Sequence, residues 1–114
     1  MPKVLCAVKD IFFTAKILDA AKAAGVEVIT ADFGRDAIMK AEDESPGLVI
    51  IDLNEKSMEP IETAGKLAGK FRVIGFLSHV QTELRGQAEA VGCEAMPRSE
   101  FSAKLKGLLE GIGK

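Results

Sequence analysis

The chain has 114 residues, 47% of them hydrophobic, and a formal net charge of −2. That length suits one domain, residues 1–114, able to bury a core without disulfide or metal staples. Lysines and arginines are scattered among acids, which leaves no basic footprint for DNA or RNA, and no apolar run reaches the length of a membrane span.

Met1-Pro2-Lys3 leads straight into an apolar run, so no signal peptide is expected and the chain reads as cytoplasmic. Val4 to Val8 is the first expected strand. The first helix is expected from about Thr14 to Ala24, because Phe13, Ile17, Ala21 and Ala24 recur at three- and four-residue steps. Gly25 ends it as a left-handed cap. Val26 to Thr30 reads as strand two and about Arg35 to Glu44 as helix two, followed by a Ser45-Pro46-Gly47 turn. Strand three is Leu48-Val49-Ile50-Ile51-Asp52, an apolar run without alternation, as in a strand buried on both faces of a parallel sheet. Helix three is expected from about Glu59 to Ala68, strand four from Arg72 to Leu77, and helix four from about Gln81 to Val91. Gly92 repeats the cap of Gly25 before a short fifth strand, Glu94 to Pro97. Phe101, Leu105, Leu108, Leu109 and Ile112 then give helix five an apolar stripe.

Strict strand–helix alternation with short links implies the α/β class, a doubly wound parallel sheet with right-handed crossovers. Asp52 closes strand three, so its carboxylate belongs to the carboxyl edge of the sheet, where open α/β folds bind ligands. A loop acid or helix cap is the plainer role for it, and an N-cap of helix one is the plainer role for Asp10. Cys6 and Cys93 fall in apolar segments and read as small buried hydrophobes rather than as a disulfide or metal pair. His79, the single histidine, cannot build a metal site alone.

The segment Asp52-Leu53-Asn54-Glu55-Lys56-Ser57-Met58-Glu59-Pro60-Ile61-Glu62 resembles the phospho-acceptor segment of two-component response-regulator receiver domains, the chemotaxis-regulator type. The element order extends that resemblance over essentially the whole chain. It implies a flavodoxin-like (βα)5 fold with strand order 2-1-3-4-5, and Asp52 as the candidate phospho-acceptor. It also implies Mg²⁺ held by Asp10, Asp52 and the backbone carbonyl of Asn54. The family's phosphoryl-binding hydroxyl at the end of strand four falls on Leu77 without a gap or on Ser78 with a one-residue shift. The family's strand-five lysine, which precedes a proline, is replaced by Arg98 or Ser99, depending on the gap. The partners so implied are a histidine kinase, a phosphotransfer protein or an effector, met through helix four, strand five and helix five. A domain of this class is not an enzyme in the usual sense.

Several residues depart from that pattern. The family's paired acids after strand one are here Lys9 and Asp10. An ammonium in place of a carboxylate weakens a site for Mg²⁺, which seeks carboxylates and water; Lys9 is expected either to face solvent or to pair with Asp52 in place of the metal. Ser78 is expected to cap helix four. Ala95 or Met96 stands where the family carries its switch aromatic, so no aromatic rotamer switch is expected on strand five. Phe13 is in phase with the core, which leaves Phe12 at least partly exposed. The residues thus describe a degenerate site, a pseudo-receiver that signals by protein contact with Mg²⁺ bound weakly. The alternative is a working response regulator phosphorylated on Asp52 with Mg²⁺. A small-molecule-binding module on the same fold ranks third, because Asp10-Ile11-Phe12-Phe13 offers neither a ligand histidine nor a Gly-rich or Ser/Thr-rich loop.

Overall fold

The apolar runs form one parallel sheet from β1 (Lys3–Ala7), β2 (Glu27–Thr30), β3 (Leu48–Asp52), β4 (Val73–Leu77) and β5 (Glu94–Pro97). The strand order is β2-β1-β3-β4-β5, and every pairing is parallel. The computed structural model describes residues 2–78 and 80–113. His79, set aside above as a metal ligand, lies outside the described residues. The connecting helices are α1 (Ile11–Ala24), α2 (Gly34–Glu44), α3 (Pro60–Leu67), α4 (Thr82–Ala90) and α5 (Arg98–Gly113), with a 3₁₀ turn at Lys56–Met58 before α3.

Alternate strand residues point to opposite faces, and both faces are covered. Val4, Cys6, Ile50, Ile74 and Phe76 pack with Ile17 and Ala21 of α1 and with Phe101, Leu105 and Leu109 of α5. Leu5, Ala7, Val49, Ile51 and Leu77 pack on the other side with Ala37 and Ala41 of α2, Ala64 and Leu67 of α3 and Ala88 of α4. All five residues of β3 are buried, as its uninterrupted apolar run requires. The register sets Asp52 beside Phe76 and Leu77 beside Pro97, so the ends of β3, β4 and β5 share one edge.

The largest boundary difference from the sequence expectation is at α1. Helix α1 begins at Ile11 rather than Thr14, because Asp10 is its N-cap and its carboxylate accepts from the Phe12 and Phe13 N–H groups at 2.9 and 3.1 Å. Gly25 caps α1 at φ 71° as expected, and Gly92 also takes a positive φ, 97°, two residues after α4 ends. Cys6 and Cys93 are free and buried, and burial pushes both thiols up to about 12, which leaves them inert.

The close seat of α2 depends on Gly34. A Cβ there would stand 2.5 Å from the Met58 carbonyl oxygen and 2.6 Å from the Thr63 hydroxyl, which itself donates to that carbonyl. The backbone cannot give way cheaply, so Gly34→Ala is expected to destabilise by about 1–3 kcal/mol in urea unfolding. Gly86, inside α4 with nothing within 4 Å of its would-be Cβ, should respond in the opposite sense. Gly86→Ala is expected to stabilise by about 0.5–1 kcal/mol through helix propensity.

Candidate functional site

Strand β3 carries Asp52 to the carboxyl edge, where the residue is left 4% exposed. One carboxylate oxygen accepts the Asn54 N–H at 2.9 Å. Burial pushes the carboxyl above its ordinary range, the Asn54 N–H and the Arg98 charge pull against that, and the Glu55 and Asp10 charges push with it. Desolvation outweighs the attraction.

The cation at this edge is Arg98, the first residue of α5. Its guanidinium lies 3.8 Å from an Asp52 oxygen and 3.9 Å from an Asp10 oxygen, ion-pair distances rather than hydrogen bonds. The guanidinium carbon also stands 5.5 Å from the Phe13 ring centroid and 5.7 Å from that of Phe76. Such contacts are worth about 0.5–1 kcal/mol where water still reaches them. Beneath the arginine, Phe13 stacks on Phe76 with centroids 4.5 Å apart, and Phe76 stacks on Phe101 at 4.9 Å. Arg98 is therefore seated on a ring stack contributed by α1, β4 and α5, facing two carboxylates.

Lys9 takes the first of the two places expected for it, facing solvent rather than pairing with Asp52. It is exposed and makes no ion pair among the described residues. Its charge is felt instead at Glu55, whose carboxyl is held low first by Ser57 and in smaller part by Lys9. Residue 9 leaves β1 pointing to solvent, whereas Asp10, turned back as a helix cap, meets Arg98.

Nor does Ser78 cap α4. The N-cap is Gln81, without a side-chain capping bond. Ser78 contributes main-chain groups: its N–H donates to Asn54 Oδ1 at 3.1 Å and to Gln81 Oε1 at 3.2 Å, while its carbonyl accepts the Gln81 N–H at 3.1 Å. The Asn54 amide donates to the same Gln81 oxygen. Asn54, Ser78 and Gln81 thus clasp the loops that follow β3 and β4. Leu77 is buried within β4, Met96 is buried in the core directly before Pro97, and Ser99 is exposed. Of the residues considered for the family's lysine position, Arg98 reaches Asp52.

Sequence reasoning missed the ring stack and Gln81. Phe13, Phe76 and Phe101 sit at the ends of three elements far apart in the chain, and only the sheet register brings them together. The proximity of Phe76 to Asp52 was the one available signal, because strand ends in a parallel sheet share an edge.

The donors implied for Mg²⁺ are the Asp10 and Asp52 carboxylates and the Asn54 carbonyl. They fit the ion poorly. Both carboxylates already accept backbone N–H groups, and a guanidinium stands within 4 Å of each. Among the described residues no group of three or more His, Cys, Asp and Glu side chains is arranged to hold a metal.

No family model matches the sequence, and no curated protein matches it. Solved structures do. A chemotaxis response regulator of Vibrio cholerae is 23% identical with a TM-score of 0.78, over 98% of each chain. A response regulator from Thermotoga maritima is 17% identical with a TM-score of 0.77, over 98% of this chain and 97% of that one. The receiver domain of a sensor histidine kinase from Pseudomonas aeruginosa, which holds a magnesium ion in its active-site cleft, is 13% identical with a TM-score of 0.80, over 98% and 97%. The chain therefore has the flavodoxin-like fold of response-regulator receiver domains, along nearly its whole length, with the strand order expected from the resemblance.

Phe12, 76% exposed beside the Asp10 cap, and Phe76, fully buried, should separate cleanly in unfolding experiments. Phe12→Ala is expected to change stability by no more than about 0.5 kcal/mol, and Phe76→Ala to remove about 3–5 kcal/mol. The raised Asp52 carboxyl has its own signature. Its contribution to stability is fully present below the unfolded-chain value and is lost as pH rises through the folded value. Asp52→Asn should therefore stabilise the fold near pH 7, with the gain fading below the ordinary carboxylate range. A less stable variant at pH 7 would show that the Asn54 N–H and Arg98 together outweigh burial.

Proposed function

We propose that this chain is a receiver-like signalling domain that acts by protein contact, with a degenerate phospho-acceptor site at Asp52. The observation that carries this reading is the lack of fit between the edge and a phosphoryl group. The residue before Pro97 is the buried Met96, the Ser78 N–H is taken up by Asn54 and Gln81, and the carboxylates face Arg98. A phosphoryl on Asp52 needs a hydroxyl or amide to hold an oxygen and cations to balance its added charge. Mg²⁺ would supply that balance when bound, held by Asp10, Asp52 and the Asn54 carbonyl, but only weakly here.

The signalling surface in this reading is the face of α4, β5 and α5, and the partner is a histidine kinase, a phosphotransfer protein or an effector. Ala95 and Met96 are both buried in β5, so that face has no aromatic on β5 to turn in and out. The domain then presents its surface without modification and is not an enzyme in its own right. No helix among the described residues is long and apolar enough to cross a membrane, which agrees with a cytoplasmic signalling role.

A working phospho-acceptor remains the second reading, favoured by the position of Asp52 and by the magnesium seen in the Pseudomonas aeruginosa receiver domain. The two separate on one experiment: incubation with acetyl phosphate, and separately with beryllofluoride, in the presence of Mg²⁺. The proposed function expects no stable adduct by intact mass and no amide shift changes across α4 and α5. Stable labelling of Asp52 together with such shifts would establish the second reading.

A further inference from the structure

Arg98 has properties that an ordinary surface arginine lacks. It opens α5, its guanidinium lies over two stacked rings, and it faces carboxylates from two other elements at nearly equal distances, 3.8 and 3.9 Å. Its Nε is buried with no hydrogen-bond partner among the described residues. The side chain as a whole keeps 38% of its surface exposed, so solvent screens the ion pairs, and the rings supply a hold that screening does not remove.

We propose that the Arg98 guanidinium is the resident cation of this acidic edge, standing between Asp10 and Asp52 where a divalent metal would be held, so that Mg²⁺ and Arg98 compete for one position. This rests on the reading of the edge as a degenerate receiver site, and it names the residue that closes that site to metal. The physical chemistry favours the arginine. Mg²⁺ demands near-octahedral oxygen ligands and gives up its water reluctantly. Guanidinium is planar and weakly hydrated, and it stacks on aromatic faces. A pocket walled by Phe13 and Phe76 on one side and two backbone-bonded carboxylates on the other suits the second ion far better than the first.

The competition has a structural consequence. Because Arg98 is the first residue of α5, its contacts fasten that helix start to Asp10 before α1 and to the end of β3. Loss of those contacts, as in Arg98→Gln, would free the first turn of α5, on the same face that the proposed function assigns to partners. The edge and the partner face are thereby joined through one side chain rather than through a strand-five aromatic.

The test is a Mg²⁺ titration of the full chain and of its Arg98→Gln variant, followed by amide shifts, with Mn²⁺ broadening to locate the ion. Arg98→Gln is expected to bind Mg²⁺ about tenfold more tightly or better, since a unit positive charge within 4 Å of both carboxylates has gone. Broadening should then centre on Asp52 and Asn54. Equal or weaker affinity in the variant overturns the proposal. If Arg98→Gln does not fold, the Arg98 Nε–H resonance decides the matter: it should move in Asp52→Asn, and an unmoved resonance overturns the proposal. Labelling of wild-type Asp52 by acetyl phosphate would sink the degenerate-site reading while leaving the affinity comparison intact. Equal affinities would sink the arginine's role while leaving the absence of labelling to stand.

Discussion

A carboxylate at the end of a strand buried on both faces must be compensated, and that constraint organises the carboxyl edge of this sheet. β3 is apolar from Leu48 to Ile51 because α1 and α5 cover one face and α2, α3 and α4 the other. Its next residue is Asp52, left 4% exposed. An isolated buried charge is among the most expensive groups in a fold. The surroundings respond with the Asn54 N–H and with Arg98, yet the carboxyl still lies above its ordinary range because desolvation dominates. Arg98 in turn needs a seat at a crowded edge. The stacked rings of Phe13, Phe76 and Phe101 provide it, which ties the polar edge to the centre of one core layer.

In the proposed reading, the same edge explains how a receiver fold can be kept while the chemistry at its rim changes. The fold depends on the alternation of buried strands and amphipathic helices, which many sequences satisfy, and matches at 13–23% identity to receiver structures are the result. Function depends on the few side chains at the strand ends. Here those are an acid used as a helix cap, an acid facing a guanidinium, and an Asn–Ser–Gln clasp between two loops. In the proposed reading each takes up a group that phosphoryl chemistry would need free. The exposed Ile11 and Phe12 lie beside Asp10 on the same edge, so apolar surface there is open to solvent while the polar groups are engaged with one another.

The fold was legible in the sequence because its signals are local. The unalternated run before Asp52, the steps of Phe13, Ile17 and Ala21, and the positive φ of Gly25 follow from residues close in the chain. The site was only half legible. Asp52 was found through its place at the end of a strand, and the Asp10 cap was foreseen as one of two roles. That cap also explains why α1 starts three residues earlier than expected. The identity of the cation was not decidable, since Lys9 adjoins Asp10 in sequence whereas Arg98 reaches it through the register of β3, β4 and β5. Ser78 was assigned to the wrong task for a similar reason: its neighbours Asn54 and Gln81 come from different loops, and their side chains claim its N–H. The 3₁₀ turn at Lys56–Met58 and the left-handed Glu59 that follows it, φ 46°, carry no glycine or asparagine to announce them.

The central claim is that a guanidinium, not a metal, neutralises this acidic edge, and a crystal structure grown with Mg²⁺ at its cellular concentration tests it most directly. The account predicts the Arg98 guanidinium between Asp10 and Asp52, over the Phe13 and Phe76 rings, with no metal on either carboxylate. A magnesium ion at about 2.0–2.1 Å from an Asp52 oxygen, with Arg98 turned out to solvent, would contradict it.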